Sequence, residues 1–488
     1  MKDQKPKLKP KEKMKIQRTE MPERTAEERV LGFGEVPLGF SEDLAEIEAL
    51  RCLDCKDPKC MVGCPVGIDI PAFLKKVEDG DFAGAIAKIR ETNFLPAICG
   101  RVCPQDQQCE LTCIVGKKNK PLSIGNLERF VADYEREHGL RVTPEIEAPT
   151  GFSVAVVGSG PAGLTAAYEL RKRGHEVTVY EAFHRAGGVL VYGIPRFRLP
   201  LDIIDEDVKA LEEMGVNFEF NTIIGKSMTL DEMLSKEFGF DAIFIGTGAG
   251  LPKMLNIKGE NLNGIYSANE YLTRIYLMGA DRFPDNVTPL NQGKKVGVIG
   301  AGNTAMDVAR TAKRLGAEVT VYYRRSKEEA PARTEELRHA MEEFINFKFL
   351  SNPVEFVGDE DYFVKKIVCD EMKLGEPDDS GRRRPTPTGK QFVDEVDTVI
   401  FSLGCNVNPL IPDSTPEIVT NKWGVVLVNE ETLETSKKGV FAGGDIITGG
   451  AKVITAMGQA KIAARSIHHY LTEKTAKHTY FAKEVESV

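Results

Sequence analysis

The sequence predicts an α/β protein in which a small helical N-terminal domain precedes two dinucleotide-binding domains of the doubly wound kind. Three observations predict it. An apolar run ends in Gly158-Ser159-Gly160-Pro161-Ala162-Gly163, the arrangement recurs at Gly300-Ala301-Gly302-Asn303-Thr304-Ala305, and eight of the ten cysteines fall between Cys52 and Cys113. The glycine turns place two strand–turn–helix units in the second and third parts of the chain. The cysteine cluster makes the first part a site of metal or cluster ligation.

At 488 residues the chain is long enough for about three domains. A composition of 42% hydrophobic and 28% charged residues is that of a globular protein. No apolar run approaches the roughly 20 residues that cross a bilayer, and the lysine-rich N-terminus lacks the apolar core of a signal peptide, so a cytoplasmic protein with no membrane contact is expected. The net charge of -9 offers nucleic acid no partner.

Residues 1–24, with Lys2, Lys5, Lys7, Lys9, Lys11, Lys13 and Lys15, read as a flexible arm with almost nothing apolar to bury. The helical domain is expected over 25–150. Its cysteines run Cys52-x2-Cys55-x4-Cys60-x3-Cys64-Pro65, then, after a helical hairpin, Cys99-x3-Cys103-Pro104-x4-Cys109-x3-Cys113. Zinc favours paired C-x2-C knuckles, and only Cys52 and Cys55 form one. The compact spacing and the Cys-Pro steps fit iron–sulfur ligation better. Eight thiolates suffice for two clusters of four, and Glu128, shortly after the last cysteine, offers an oxygen ligand as an alternative to a plain helix-surface role.

In the first unit, Ser153 to Val157 is the strand, Gly158 allows the tight turn, Gly160 lets a pyrophosphate approach the backbone, and Gly163 lets helix and strand pack closely. The second strand, Glu176 to Tyr180, ends on Glu181, which can accept from a ribose. The loop Arg185 to Pro195, containing Gly187, Gly188, Leu190 and Gly193, is expected to be irregular and to approach a flat ligand. Phe240 to Ile245 reads as a buried strand that finishes on Gly246, Thr247 and Gly248, beneath a cofactor.

The second unit runs from the strand Lys295–Ile299 through Gly300 and Gly302, with Ala305 in the third glycine's place, into a helix that opens with Asn303 and Thr304. Its second strand ends on Arg324-Arg325. An acid there would repel a 2'-phosphate, whereas two guanidinium groups grip one, so this site should take NADP(H). Glu376 to Gly389 reads as a solvated hairpin tip. A late strand, Gly439 to Ala442, ends on Gly443-Gly444-Asp445 before a helix from Lys452 to Leu471; Asp445 is placed for a ribityl hydroxyl, and the helix N-terminus for negative charge on a flavin. Two dinucleotide units with no organic substrate pocket point to a flavin bound first and a nicotinamide second. Cys369 and Cys405 stand alone, so no thioredoxin-reductase-like dithiol is expected.

The cysteine box, Cys99-Gly100-Arg101-Val102-Cys103-Pro104, Ile124-Gly125-Asn126-Leu127-Glu128-Arg129, Gly193-Ile194-Pro195-x-Phe197-Arg198-Leu199-Pro200 and Ala442-Gly443-Gly444-Asp445 together resemble the glutamate synthase small (beta) subunit family, which includes the large subunit of NADH-dependent ferredoxin:NADP oxidoreductase. The resemblance runs from about Arg29 to Leu471. It implies a helical iron–sulfur domain followed by two glutathione-reductase-like domains, with an FAD domain over 151–265 and 400–488 and an NADP(H) domain over 266–399 inserted into it. One 4Fe-4S cluster is implied on Cys52, Cys55, Cys60 and Cys113, and a second on Cys64, Cys103, Cys109 and Glu128, which leaves Cys99 without iron. Leu190, Arg198 and Val453 are implied on FAD, and Asp307 on NADP(H).

The implied activity is hydride exchange between NADP(H) and FAD with single electrons passed through the clusters. The short Ile114 to Pro121 connection and the compact Cys52 box resemble the ferredoxin:NADP branch, whose members bifurcate electrons from NADPH to ferredoxin and to NAD with a smaller NAD-binding, 2Fe-2S partner flavoprotein. The alternative is delivery to a glutamate synthase large subunit. A third expectation, a redox-sensing subunit without turnover, sits poorly with the intact second fingerprint.

Overall fold

The structure, a computed structural model, describes residues 8–378, 381–450 and 452–485, with side chains of the last helix described as far as residue 473. The N-terminal domain is a bundle of short helices, chiefly Glu42–Ala49, Ile70–Glu78, Phe82–Arg90, Pro96–Val102 and Ile124–Glu137. Local chemistry starts two of them. Asp69 accepts from the Ala72 amide and Asp81 from the Gly84 amide, at 3.3 and 2.9 Å, and Pro71 sits in the first turn of the former helix. Their buried faces, Ile70, Phe73, Leu74 and Val77 on one and Phe82, Ala85, Ile86 and Ile89 on the other, follow helical spacing. Phe82 closes the bundle edge-on against Phe130 and Tyr134, at 5.0 and 5.1 Å between ring centres. At Gly100 a Cβ would lie 2.6 Å from the Arg129 amide nitrogen, so this crossing of two helices requires glycine.

Over its described part the arm makes contacts far along the chain. Lys13 donates to the Cys52 carbonyl at 3.0 Å and to Glu78 at 3.1 Å. Arg18 reaches the Pro121 carbonyl and Ser123, and the buried Arg51 holds the Ile16 carbonyl at 3.2 Å. Composition alone hides this strap, because its cations find carbonyls and carboxylates far along the chain. The first seven residues lie outside the described ones.

Two five-stranded parallel sheets follow. The first has the order Val440–Ala442, Ala242–Ile245, Ser153–Val157, Glu176–Tyr180, Asn217–Glu219. The second has Ile265–Ser267, Thr398–Phe401, Lys295–Ile299, Glu318–Tyr323, Asn346–Phe349. A sheet built from residues 153 to 245 and closed by 440–442 requires the chain to leave it, build the second sheet and return. A three-stranded antiparallel sheet, Ser351–Gly358, Val364–Pro377 and Arg383–Glu395, projects from the second unit, so the hairpin arms run further than expected; residues 379 and 380 between them lie outside the described ones. The irregular loop after Glu181 also contains one helical turn, Val189–Tyr192.

The final helix, Val453–Val485, joins the domains. Its Gly458 packs so closely on the N-terminal domain that a Cβ would lie 2.8 Å from the Pro65 carbonyl oxygen. Met457 Sδ lies 3.6 Å from Cys99 Sγ, and Lys461 donates to the Thr92 carbonyl.

The same helix carries a pH-sensitive contact. His175 is fully buried, with Nε2 3.0 Å from His468 Nδ1 and Nδ1 2.8 Å from Thr150 Oγ1. Burial, then the charges of His468 and Arg173, lowers its pKa from 6.5 to about 4. The folded protein keeps His175 neutral while the unfolded chain binds a proton, so stability is full above 6.5 and is lost as the pH falls toward about 4. Lowering the pH from about 7 to about 5 should cost about 2 kcal/mol through this residue. Denaturation midpoints of His175→Asn at the two pH values are expected to show that loss shrinking.

Candidate functional site

At the first glycine turn the geometry separates glycines that pack from those that leave room. Gly158 has φ +96°, and a Cβ there would lie 2.7 Å from the Gly246 oxygen, while one on Gly163 would lie 1.8 Å from the Gly158 oxygen. A Cβ on Gly160 would meet nothing within 4 Å. The chain therefore closes strand on helix at the two outer glycines and leaves the middle one open at the N-terminus of the helix Pro161–Lys172, where free amides suit a pyrophosphate. Ala162 is buried beside Gly163, and Ser159 is the hub: its amide donates to Glu181 Oε2 at 3.0 Å, its hydroxyl donates to the same oxygen, and it accepts from the Gly187 amide at 3.0 Å. Glu181, expected on a ribose, thus also braces the turn from the end of its strand. Gly188 comes down on the turn with φ +53°, and a Cβ there would lie 2.9 Å from Gly160 Cα. Leu190 is buried behind it, and Gly193 ends the helical turn.

Gly246, Thr247 and Gly248 finish the adjacent strand, with Thr247 exposed. Gly444, φ +82°, turns the chain from Val440–Ala442 into the helical turn that Asp445 opens, and Val453 begins the long helix. The Gly444 amide donates to Gln459 Oε1 at 2.8 Å, a partner that sequence reading missed because a surface-type glutamine on a helix carries no signal.

The second turn repeats the first. Gly300 has φ +125°, a Cβ there would strike the Ser402 oxygen at 2.4 Å, and Gly302 is open. Asn303 and Thr304 begin the helix Asn303–Arg314, with Asn303 Oδ1 accepting from the Arg333 amide at 2.8 Å and Thr304 exposed. Past the strand Glu318–Tyr323, Arg324 is exposed and Arg325 half-buried, its Nε donating to the Arg383 carbonyl at 3.1 Å.

Two expected cofactor residues, Arg198 and Asp307, are engaged with each other. Arg198 Nη1 donates to both Asp307 oxygens at 2.8 Å, and Arg198 Nε lies 3.0 Å from Glu336. Both members are buried, and buried charges require partners. The pair joins the two dinucleotide units and opens a larger network: Arg310 holds Glu336 and Glu343, and Arg314 holds Glu343.

None of the ten cysteines is joined in a disulfide. Burial pushes the Cys52 thiol up to about 11, with Cys55 and Cys113 adding to the rise, and the Cys60 thiol to about 12, with Cys52, Cys113 and Cys55 adding. Cys64 and Cys109 are likewise raised by burial, and their common neighbours are Glu128 and Cys103. The donors therefore gather in two groups, each crowded with groups whose ionisation the others oppose, which is the condition a bound cationic centre relieves. Among the described residues no three cysteine sulfurs lie within 4.8 Å of one another. Four thiolates about 2.3 Å from a single zinc would sit about 3.8 Å apart, closer than any three of the cysteine sulfurs gather here. Glu128 is buried without an ion pair among the described residues; burial raises its pKa to about 8, opposed by a hydrogen bond from Asn93.

Comparison with known proteins places these features. One family model, dihydropyrimidine dehydrogenase domain II, 4Fe-4S cluster, matches residues 29–140, and another, pyridine nucleotide-disulphide oxidoreductase, matches 152–460. The glutamate synthase (NADPH) small chain of Azospirillum brasilense is 37% identical over 459 residues, spanning 92% of this chain and 94% of that one. This chain belongs to the glutamate synthase small-chain family of pyridine nucleotide-disulphide oxidoreductases. Another member is the beta subunit of an NADP(+)-dependent formate dehydrogenase from Moorella thermoacetica, 39% identical over 86% of this chain, which spans 61% of that relative. Among solved structures, FprA from Mycobacterium tuberculosis in complex with NADPH shares the fold, with a TM-score of 0.56 and 21% identity over 67% of this chain and 86% of that one. As a member of this family the protein is an oxidoreductase for FAD, NADP(H) and 4Fe-4S centres. No helix among its described residues is long and apolar enough to cross a membrane.

Proposed function

We propose that the chain exchanges hydride between NADP(H), held at Gly300 to Arg325, and FAD, held at Gly158 to Glu181 with Asp445 on its far side, and passes single electrons through two 4Fe-4S clusters. Bound flavin supplies the conversion between electron pairs and single electrons. The boundaries expected at 265/266 and 399/400 then move to 264/265 and 401/402, so that the inserted unit keeps the strands Ile265–Ser267 and Thr398–Phe401 of its own sheet.

The observation that supports this reading is that Cys52, Cys60 and Cys113 neighbour one another with Cys55, while Cys64 and Cys109 share Glu128 and Cys103 as neighbours on the side of the flavin-unit helix. Pro65 follows Cys64 and meets Gly458, and Cys99 precedes Cys103 and meets Met457. Val62, Leu111 and Ile114, close in sequence to Cys60, Cys109 and Cys113, are exposed apolar residues, which suits the surface of the cysteine domain to meet a partner.

Within the family we place the chain in the ferredoxin:NADP branch, where NADPH oxidation sends one electron to ferredoxin and the other, through a smaller NAD-binding flavoprotein with a 2Fe-2S centre, to NAD. The second reading, delivery to a glutamate synthase large subunit, is supported by the near full-length match to the Azospirillum chain. Native complex purified through this chain decides between them. NAD-dependent reduction of ferredoxin by NADPH supports the first, and glutamate formed from glutamine and 2-oxoglutarate without ferredoxin reduction supports the second. Failure of NADPH to bleach the flavin removes both and leaves a sensor.

A further inference from the structure

We propose that Asn93 is the positioning residue that selects which carboxylate oxygen of Glu128 faces the second cluster. The inference rests on the reading of Glu128 as a ligand and adds the side chain that aims it. Asn93 is fully buried, and its Nδ2 donates to Glu128 Oε1 at 2.7 Å. Its Oδ1 accepts from the Leu95 amide at 2.9 Å, which fixes the orientation of the side-chain amide, because that N–H requires an acceptor. The Asn93 amide group must therefore turn towards Glu128.

Glu128 Oε1 is occupied by this bond, and Oε2 has no hydrogen-bond donor among the described residues. A carboxylate held in this way has one oxygen committed to the protein and one left for iron, so it ligates through a single oxygen and its basicity is lowered by the bond to the other.

Asn93 is itself held on a rigid base. The Thr92 and Asn93 amides both donate to the Ile89 carbonyl, at 3.1 and 2.9 Å, which ends the helix Phe82–Arg90 in a tight turn. Lys461, on the long helix of the flavin unit, donates to the Thr92 carbonyl and pins the turn from the other side. Cys99 Sγ lies 3.9 Å from Asn93 Oδ1 and fills the space behind it. The aim of Glu128 is thus set jointly by the helical domain and by the helix against which that domain docks.

The test uses the holoprotein, with Asn93→Asp and Glu128→Gln compared in parallel. Asn93→Asp keeps an acceptor for the Leu95 amide but faces Glu128 with an acceptor in place of a donor. We expect it to change the electron paramagnetic resonance signal and the midpoint potential of one reduced cluster, or to lower iron from about eight to about four per chain. The other cluster and the flavin content should be unaltered. Glu128→Gln should change the same signal.

If Glu128→Gln leaves both signals as in the wild type, the ligand reading fails. If Glu128→Gln changes one signal while Asn93→Asp leaves it unaltered or changes the other, the positioning role alone is overturned. Should Asn93→Asp not fold, Asn93→Ser decides, since it brings no charge and its shorter side chain withdraws the donor from Glu128. A shift in the Glu128-dependent signal supports the role, and wild-type signals with only a lowered melting temperature overturn it.

Discussion

Glu343→Ala is expected to destabilise the protein by about 3–5 kcal/mol, among the largest effects of any single substitution in the chain. Glu343 is fully buried and receives four charge-assisted hydrogen bonds, from Arg310 at 2.8 and 3.0 Å and from Arg314 at 2.6 and 3.1 Å. Burial pushes its pKa up, but the guanidinium groups of Arg314 and Arg310 outweigh that and hold it below the usual range. With Arg198, Asp307 and Glu336 the network balances three positive charges against three negative ones. Removing Glu343 leaves a net positive charge in a site that water does not reach. Phe197 lies within the same cluster, with the Arg310 and Arg314 guanidinium carbons 4.6 and 3.9 Å from its ring centre, so misplaced arginines would also lose those contacts. Denaturant unfolding followed by flavin fluorescence measures the cost. Because Arg198 ties the flavin unit to Asp307 of the nicotinamide unit, loosening of the inter-unit contact should appear as an earlier phase, ahead of loss of the cores. A loss below about 1 kcal/mol would mean that the network is solvated and contributes little.

Legibility in the sequence followed the range of the interactions. The two glycine turns were readable because strand, turn and helix are contiguous, and the steric reasons for Gly158, Gly163 and Gly300 involve strands whose ends are themselves signalled by small residues. Charge at the end of a strand was readable for the same reason at Glu181 and Arg324. What escaped were pairs that only folding brings together. Arg198 and Asp307 are 109 residues apart, and each carries a motif that suggests a cofactor; their mutual bond is invisible until the units dock. Asn93 acts on Glu128 across 35 residues and comes from a turn with no chemical signature. Composition misled at Lys13 and the neighbouring Arg18, which reach the cysteine domain, whereas Lys9, Lys11 and Lys15 are exposed. The proposed division of seven of the eight cysteines, with Glu128, into two groups was likewise beyond spacing, because Cys113 and Cys52 are separated by the helical hairpin between them; family resemblance implied it.

Replacing Arg324 and Arg325 together with alanine should lower kcat/KM for NADPH by roughly 100- to 1000-fold while leaving NADH nearly unchanged. Hydrogen bonds between a guanidinium and a phosphate each contribute about 1.5–3 kcal/mol, and the 2'-phosphate is the group that NADH lacks. Arg324 is exposed and makes no ion pair among the described residues, so it is available to a ligand. Arg325 is anchored through Nε to the Arg383 carbonyl, which directs its remaining nitrogens away from that contact and ties the projecting hairpin to the same corner. Arg383 is in turn held by Glu329 at 3.0 Å, so that carboxylate is already paired and opposes a phosphate less. Arg324→Ala alone separates the two contributions: it removes a charge without releasing the hairpin, and should account for about half of the loss in free-energy terms. Raising the salt concentration should weaken NADPH binding by the wild type more than by the double variant, because exposed charges are screened. Equal losses for NADPH and NADH would instead assign the arginines to support of the hairpin and of the strand end, and would leave discrimination between the two cofactors to other residues.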